Sequence, residues 1–313
     1  MKHYCNSTRV TRISRIRDRA ILPLLTFTVA AGTMYGQAAN TQEQPVRTDE
    51  FYHTIMPRTA EAVPPFQMFD NLYYIGTNDY AAYLIKTSAG LIMIDSLTIQ
   101  MADHLIPAIQ QLGLNPADVK YLVISHSHPD HWGGAQIIKK ATGARILMSE
   151  QDWQVLEKLP GTNTPEPPKR DMVVKDGDTL TLGDETLKFW FTPGHTPGTI
   201  SVEFPVFDGG KQYKAFFQGG YRFGNNAETL NLGMASLQRL LDAGGPKNID
   251  VNLYCHQFSA DVLERGEKLK SRKPGDPNPF VVPGEFAVLM QFRIDIAKKS
   301  LEALEAKKTQ QSQ

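Results

Sequence analysis

The sequence predicts an α/β protein in which two β-sheets stack between outer layers of helix. Two observations carry this expectation. From Phe66 onward, short apolar runs bounded by turn residues alternate with stretches of helical spacing. The alternation persists through both halves of the chain, so neither half reads as purely helical or purely strand. With 313 residues, 41% of them hydrophobic, the chain can bury a sizeable core as one large domain or two small ones.

Asn71–Gly76, Ala81–Thr87 and Gly90–Asp95 are apolar runs separated by turn residues and are expected as strands. Ile99–Leu112 has helical spacing and Gly113 is its stop. Tyr121–Ser125 is a further strand, His131–Thr142 a helix ending at Gly143, and Arg145–Met148 a strand. Ser149 is a suitable N-cap for the helix that follows. Residues 160–171, rich in Pro, Thr and charge, are expected as a loop. Strands are expected at Thr179–Leu182, Leu187–Phe191, Thr199–Phe204, Ala215–Gln218 and Asp250–Tyr254. Helices are expected at Met234–Ala243 and Ala260–Leu269, with an amphipathic helix over Glu285–Ala306. No repeat of solenoid length is present.

The first 40 residues differ from the rest. Lys2, Arg9, Arg12, Arg15, Arg17 and Arg19 precede an apolar run from Ala20 to about Tyr35, and small residues follow at Gly36, Ala38 and Ala39. That order is the order of a secretory signal peptide. Residues 1–38 are therefore expected to be removed, which makes the protein periplasmic or secreted. The apolar run falls short of the roughly 20 residues of a spanning helix and Pro23 interrupts it, so no stable membrane association is expected afterwards. Residues 39–65 are polar, carry four prolines and read as an N-terminal extension. Residues 66–313 are expected to form the main folded domain.

Formal net charge is zero, which speaks against a nucleic-acid partner. Residues 1–38 hold six basic side chains and one acidic one, so the remainder has 27 Lys plus Arg against 32 Asp plus Glu, a net charge of −5. Cys5 leaves with the signal and Cys255 is then alone, so no disulfide framework is expected. On a strand Cys255 and His256 should point to opposite faces, which makes Cys255 a buried structural residue.

The strongest chemical signal is His126-Ser127-His128-Pro129-Asp130-His131, directly after an apolar strand. Three imidazoles and a carboxylate within six residues are donors that zinc favours. Alternation puts His126 and His128 on one side; the chain then turns, so Asp130 and His131 can face a second metal. The second signal is Thr192-Pro193-Gly194-His195-Thr196-Pro197-Gly198, a His held between two Pro/Gly turns. The third is His256 at the end of a strand. Alone, His195 or His256 would read as an ordinary structural residue; beside the cluster, ligand duty is the better reading. His53 and His104 belong to no motif. Trp132, Phe66, Phe69, Tyr73 and Tyr74 read as packing residues.

This set resembles the ligand set of the metallo-β-lactamase superfamily, and most closely the lactamase subclass whose two zinc sites use only His and Asp. The likeness covers nearly all of residues 66–306. It implies a four-layer αββα sandwich with the metals at one edge of the sheets. It implies two Zn(2+) per chain: His126, His128 and His195 on the first, Asp130, His131 and His256 on the second, with an open position at each. The implied chemistry is opening of a β-lactam amide by water ionised between the metals, with Asp130 as the catalytic carboxylate. Asp95 is either an orienting group or a turn residue.

One departure matters. Relatives such as glyoxalase II enzymes carry an Asp that bridges both metals after a Phe-x-Gly step. Here the stretch reads Phe217-Gln218-Gly219-Gly220-Tyr221, with Gly220 in the place of the bridge. This favours a lactamase-like site. The subclass often has a Ser there that helps hold the substrate carboxylate; Arg222 could supply a bidentate partner instead, and Tyr221 is a second candidate for substrate contact. The partner is thus a small-molecule substrate. Hydrolysis of another ester, lactone or amide, iron-dependent oxidation in the same pocket, and a non-catalytic metal protein remain as alternatives. The oligomeric state is not legible.

Overall fold

A computed structural model describes residues 60–159, 165–242 and 248–311. The expected signal peptide 1–38, most of the extension 39–65, and residues 160–164 of the expected loop lie outside the described residues. The described residues belong to one compact unit.

The chain opens with β1 (Phe66–Phe69), β2 (Leu72–Tyr74), β3 (Tyr83–Thr87) and β4 (Gly90–Ile94). Helix α1 (Leu105–Gln111) follows, then β5 (Val119–Val123), the single turn α2 (Pro129–Trp132), α3 (Ala135–Thr142), β6 (Arg145–Ser149), α4 (Glu150–Glu157) and β7 (Met172–Val174). The second half runs β8 (Thr179–Leu182), β9 (Glu185–Phe191), β10 (Ile200–Asp208), β11 (Lys211–Gln218), α5 (Ala227–Asp242), β12 (Val251–Tyr254), α6 (Val262–Lys270) and α7 (Glu285–Gln311). Strands β1 to β7 form one sheet in sequence order, and β12-β11-β10-β9-β8 form the other. The first sheet is antiparallel through β4 and parallel from β4 to β7.

The inner strands β2 to β6 of the first sheet are buried on both faces over most of their length, which is why they read as mainly apolar runs. Along β4, Leu91 and Met93 pack among helix residues such as Leu105, Ile109 and Ile138, while Ile92 and Ile94 face the second sheet. Phe216 and Phe217 split the same way on β11. Phe217 meets Tyr83 of the first sheet at 5.9 Å, and Phe216 meets Phe286 of α7 at 5.0 Å. Phe286, Met290, Ile294 and Ala297 form the buried stripe of α7, at the spacing of one helical face. Two sheets face to face with helices outside make four layers, αββα, as expected.

Several boundaries differ from the sequence reading. The helix expected over His131–Thr142 is broken at Gly133–Gly134 because the chain there passes against the 96–99 segment. A Cβ on Gly134 would lie 2.3 Å from the Ser96 carbonyl oxygen. Residues 99–112 yield a 3-10 turn at Ala102–His104 before α1. α5 starts seven residues before Met234, and β7 falls where a loop was expected to end. Ser149 does cap α4, its Oγ accepting from the Asp152 amide at 3.2 Å. Among the described residues no helix is long and apolar enough to cross a membrane.

At the end of the sandwich that carries the β1–β2 turn, Asn71 ties the sheets together. Its Nδ2 donates to Glu185 Oε1 and to the Pro205 carbonyl, each at 3.1 Å, and its Oδ1 accepts from the Phe207 amide. Glu185 is buried and its Oε2 has no hydrogen-bond partner. Burial pushes the Glu185 pKa up to about 7, with the Asn71 hydrogen bond opposing. The folded state therefore binds this proton more tightly than the unfolded chain. The associated stability is present at low pH and is lost as pH rises through about 7. Glu185→Gln should gain on wild type by about 2 kcal/mol between about pH 5 and pH 8, read from urea midpoints. A constant difference across that range would remove the ionisation argument.

Candidate metal centre

The site residues sit where strands from both sheets end at one edge. Asp95 follows β4, His126 follows β5, His195 follows β9, Gly220 follows β11 and His256 follows β12. Backbone bonds tie the sheets together here: the Ile200 amide donates to the Ser125 carbonyl and the Ala81 amide to the Cys255 carbonyl, each at 2.9 Å.

His126 Nε2, His128 Nδ1 and His195 Nε2 form a triangle with 3.1 Å on each side. A tetrahedral zinc with Zn–N of about 2.0–2.1 Å separates its ligand nitrogens by about 3.3–3.4 Å, so the triangle has the right size. Its chemistry fits as well. His195 Nδ1 donates to the Arg222 carbonyl at 2.5 Å. His126 Nδ1 contacts Ser125 Oγ at 3.0 Å, and that hydroxyl in turn donates to Asp95 Oδ2 at 2.8 Å. The ring protons of His126 and His195 are thus used on the far side, and their Nε2 lone pairs point at one another. Burial pushes the pKa of His126 well down, helped by the neighbouring imidazoles, and pushes His195 down to about 4. His128 is lowered by burial while Asp130 opposes. Three neutral imidazoles aimed at one point want a cation between them.

Asp130, His131 and His256 also meet. Asp130 Oδ2 is 3.1 Å from His131 Nε2 and 3.6 Å from His256 Nε2. Carboxylates set the rings: His131 Nδ1 donates to Asp95 Oδ2 at 2.8 Å and His256 Nδ1 to Asp79 Oδ1 at 3.0 Å. This leaves both Nε2 atoms facing the site. His131 Nε2 is buried and makes no hydrogen bond despite the nearby carboxylate. Burial pulls the His131 pKa down, but Asp130 and Asp95 outweigh it and raise it to about 10. For Asp130, burial acts upward and is overcome by His131 and His256, which hold the carboxyl far below the usual range. A metal ion there would replace the proton as the counter-charge.

Cys255 is buried, as expected, but it does not point away from the site. Its Sγ and the donor nitrogens of His131 and His256 lie within 4.8 Å of one another. The chain leaves β12 at Tyr254, so strict strand alternation no longer applies. Burial pushes the thiol pKa well up. The thiol thus stands beside the His131–His256 pair as an alternative third donor to Asp130, next to the His126, His128 and His195 group.

Gly220 lies against His195: a Cβ there would fall 2.4 Å from the imidazole Cδ2. Any side chain at this position would have to displace the ligand ring. Arg222 is exposed. The Tyr221 ring is engaged elsewhere, with its hydroxyl on Ser259 Oγ at 2.6 Å and the Arg293 guanidinium 4.0 Å from its centroid. Asp95 acts as an orienting group and adopts a left-handed backbone, φ 58°, a conformation uncommon outside Gly, Asn and Asp. Sequence reasoning missed Asp79 and Ser125, which carry no motif; Asp79 acts through a tertiary contact, and Ser125 links its neighbour His126 to the distant Asp95. Asp79→Ala should weaken metal binding at the His131–His256 group by about 10- to 100-fold and leave the three-His group intact. Stepwise competition with a chromophoric chelator would check this; a single unchanged isotherm would refute it.

The metallo-beta-lactamase superfamily profile matches residues 76–206. Among solved structures, the chain is similar to the subclass B3 metallo-beta-lactamase BJP-1 of Bradyrhizobium japonicum. The two are 33% identical over 80% of this chain and 97% of that one, with a TM-score of 0.67. The native FEZ-1 metallo-beta-lactamase of Legionella gormanii is 29% identical over 80% of this chain and 99% of that one, with a TM-score of 0.69. A hydroxyacylglutathione hydrolase of Hyphomonas neptunium is 36% identical over 44% of this chain and 47% of its own length. The chain spans less than half the length of the first curated relatives it matches.

Proposed function

The chain belongs to the metallo-β-lactamase superfamily, and from that premise we propose that this metallo-hydrolase is an exported, two-zinc β-lactamase that opens the cyclic amide of a β-lactam. The observation that carries this reading is the pair of three-donor sets at one sheet edge with Gly220, not a bridging carboxylate, beside His195. Zinc suits neutral imidazole and carboxylate donors. When bound it supplies Lewis acidity and a water that ionises near neutral pH.

The chain's own residues do the rest. His126, His128 and His195 would hold one ion, and Asp130, His131 and His256 the other. Three donors apiece leave each ion a position for water or substrate. The Asp95, Asp79, Ser125 and Arg222 carbonyl contacts hold His131, His256, His126 and His195 in the tautomer that presents a lone pair. Asp130, held ionised, presents its Oδ2 to His131 Nε2 and His256 Nε2 and would be the catalytic carboxylate. Exposed Arg222 is the candidate partner for a substrate carboxylate, while Tyr221, pinned by Ser259 and Arg293, supports the loop that carries it. The basic-then-apolar order of residues 1–38 supports export, and a small-molecule substrate fits an open polar edge. The glutathione-thioester hydrolysis named for the Hyphomonas relative is the second reading, favoured by that likeness and opposed by Gly220.

Purified zinc-loaded protein should hydrolyse a chromogenic cephalosporin and lose that activity to a chelator, with about two zincs per chain. His128→Ala should cut kcat by more than about 100-fold while circular dichroism stays native. Two zincs with turnover of a glutathione thioester but of no β-lactam would replace the first reading by the second, and iron in place of zinc would point to oxidation chemistry. Arg222→Ala should raise KM for anionic substrates more than it lowers kcat; an unchanged KM removes Arg222 from substrate binding.

A further inference from the structure

Asp152, on the first turn of α4, is fully buried and is not one of the candidate metal ligands. Its side-chain partners all lie outside its own helix. Asp152 Oδ2 accepts from the Ser127 amide at 3.0 Å and from Thr196 Oγ1 at 2.7 Å, and Oδ1 accepts from the Gly198 amide at 3.0 Å. Ser127 is the residue between His126 and His128. Thr196 directly follows His195, and Gly198 lies two residues further on. One buried carboxylate thus joins the two segments that supply the three-His group.

The surroundings are built for this junction. The Ser127 peptide is gripped on its other side, its carbonyl accepting from Trp132 Nε1 at 2.8 Å. Thr196 is fixed again by Thr199, whose Oγ1 accepts from the Thr196 amide at 3.0 Å. A Cβ on Gly198 would fall 2.1 Å from Ser149 Oγ and 2.9 Å from Asp152 Cγ, so only glycine lets this segment seat on the start of α4. A carboxylate serving its own helix would reach back to the free amides of the first turn; this one is turned toward the loops. Its donors are uncharged groups of these two loops, and their hydrogen bonds offset part of the cost of burying it. His128 is the exposed member of the three-His group, and the Ser127 backbone that precedes it helps to set its position.

We infer that Asp152 is a positioning residue that sets the distance between the His126–His128 segment and His195, and thereby the affinity and geometry of the first metal site. The inference rests on the reading that His126, His128 and His195 hold a metal. Asp152→Asn keeps the shape but turns one acceptor into a donor facing the Ser127 amide or the Gly198 amide. Thr196→Val removes one donor and leaves the carboxylate in place. Full-length protein and these variants would be titrated with Co(II), following the visible absorption bands, and in competition with a chromophoric chelator. His195→Ala marks the first-site step.

Asp152→Asn is expected to weaken the first-site step by about 10- to 100-fold, to change its band intensity, and to leave the second step at its wild-type affinity. Thr196→Val should act in the same direction by less. Wild-type first-site affinity and spectrum in both variants, with only the melting temperature lowered, would make Asp152 a structural residue and overturn the inference. If His195→Ala changes neither step in otherwise wild-type protein, the underlying site reading falls and the inference falls with it, a result distinct from the previous one.

Discussion

A histidine serves a metal best when its other nitrogen is held, and four of the five imidazoles of the candidate centre meet that condition. His131 is held by Asp95, His256 by Asp79, His195 by the Arg222 carbonyl, and His126 by Ser125 through to Asp95. Each of these bonds selects the tautomer that leaves a lone pair facing inward. Without them, rings crowded within 3.1 Å of one another would turn apart or trade protons. Asp95 holds two of the rings from one carboxylate. It can do so because β4 delivers it to the floor of the site and its backbone accepts φ 58°.

The sandwich is what brings these partners within reach. Asp79 and His256 are separated by 177 residues and meet only because the β2–β3 turn of one sheet and the end of β12 in the other close on the same edge. The apolar runs that build the sheets carry no chemistry, yet their register decides which residues emerge at that edge. The same closeness imposes glycine at Gly220, since the His195 ring occupies the volume a side chain would need. Position 220 therefore offers no side chain to the site, and the nearest exposed charged group on this loop is Arg222, two residues on.

Much of this was legible beforehand, for reasons that can be traced. The cluster from His126 to His131 is contiguous, so its donors were readable directly, and the turn residues around His195 marked a rigid presenting loop. The αββα layering followed from the alternation of apolar runs, although helix ends such as the break at Gly133–Gly134 did not, because a backbone close approach leaves no periodic signal. Strand alternation misplaced Cys255, since the rule ends where β12 ends and the thiol lies beside His131 and His256.

By itself the sequence determined the fold class, the donor types and the order in which the chain offers them, because hydrophobic period and residue chemistry are local properties. Only the tertiary structure decided that Asp95 orients and does not merely turn the chain, that Asp79 and Ser125 belong to the site, that Tyr221 is pinned by Arg293 and Ser259, and that Asp152 joins the two ligand segments. Those roles arise from hydrogen bonds whose partners stand up to 177 residues apart. A carboxylate or hydroxyl carries no mark of such a bond until the sheets have stacked.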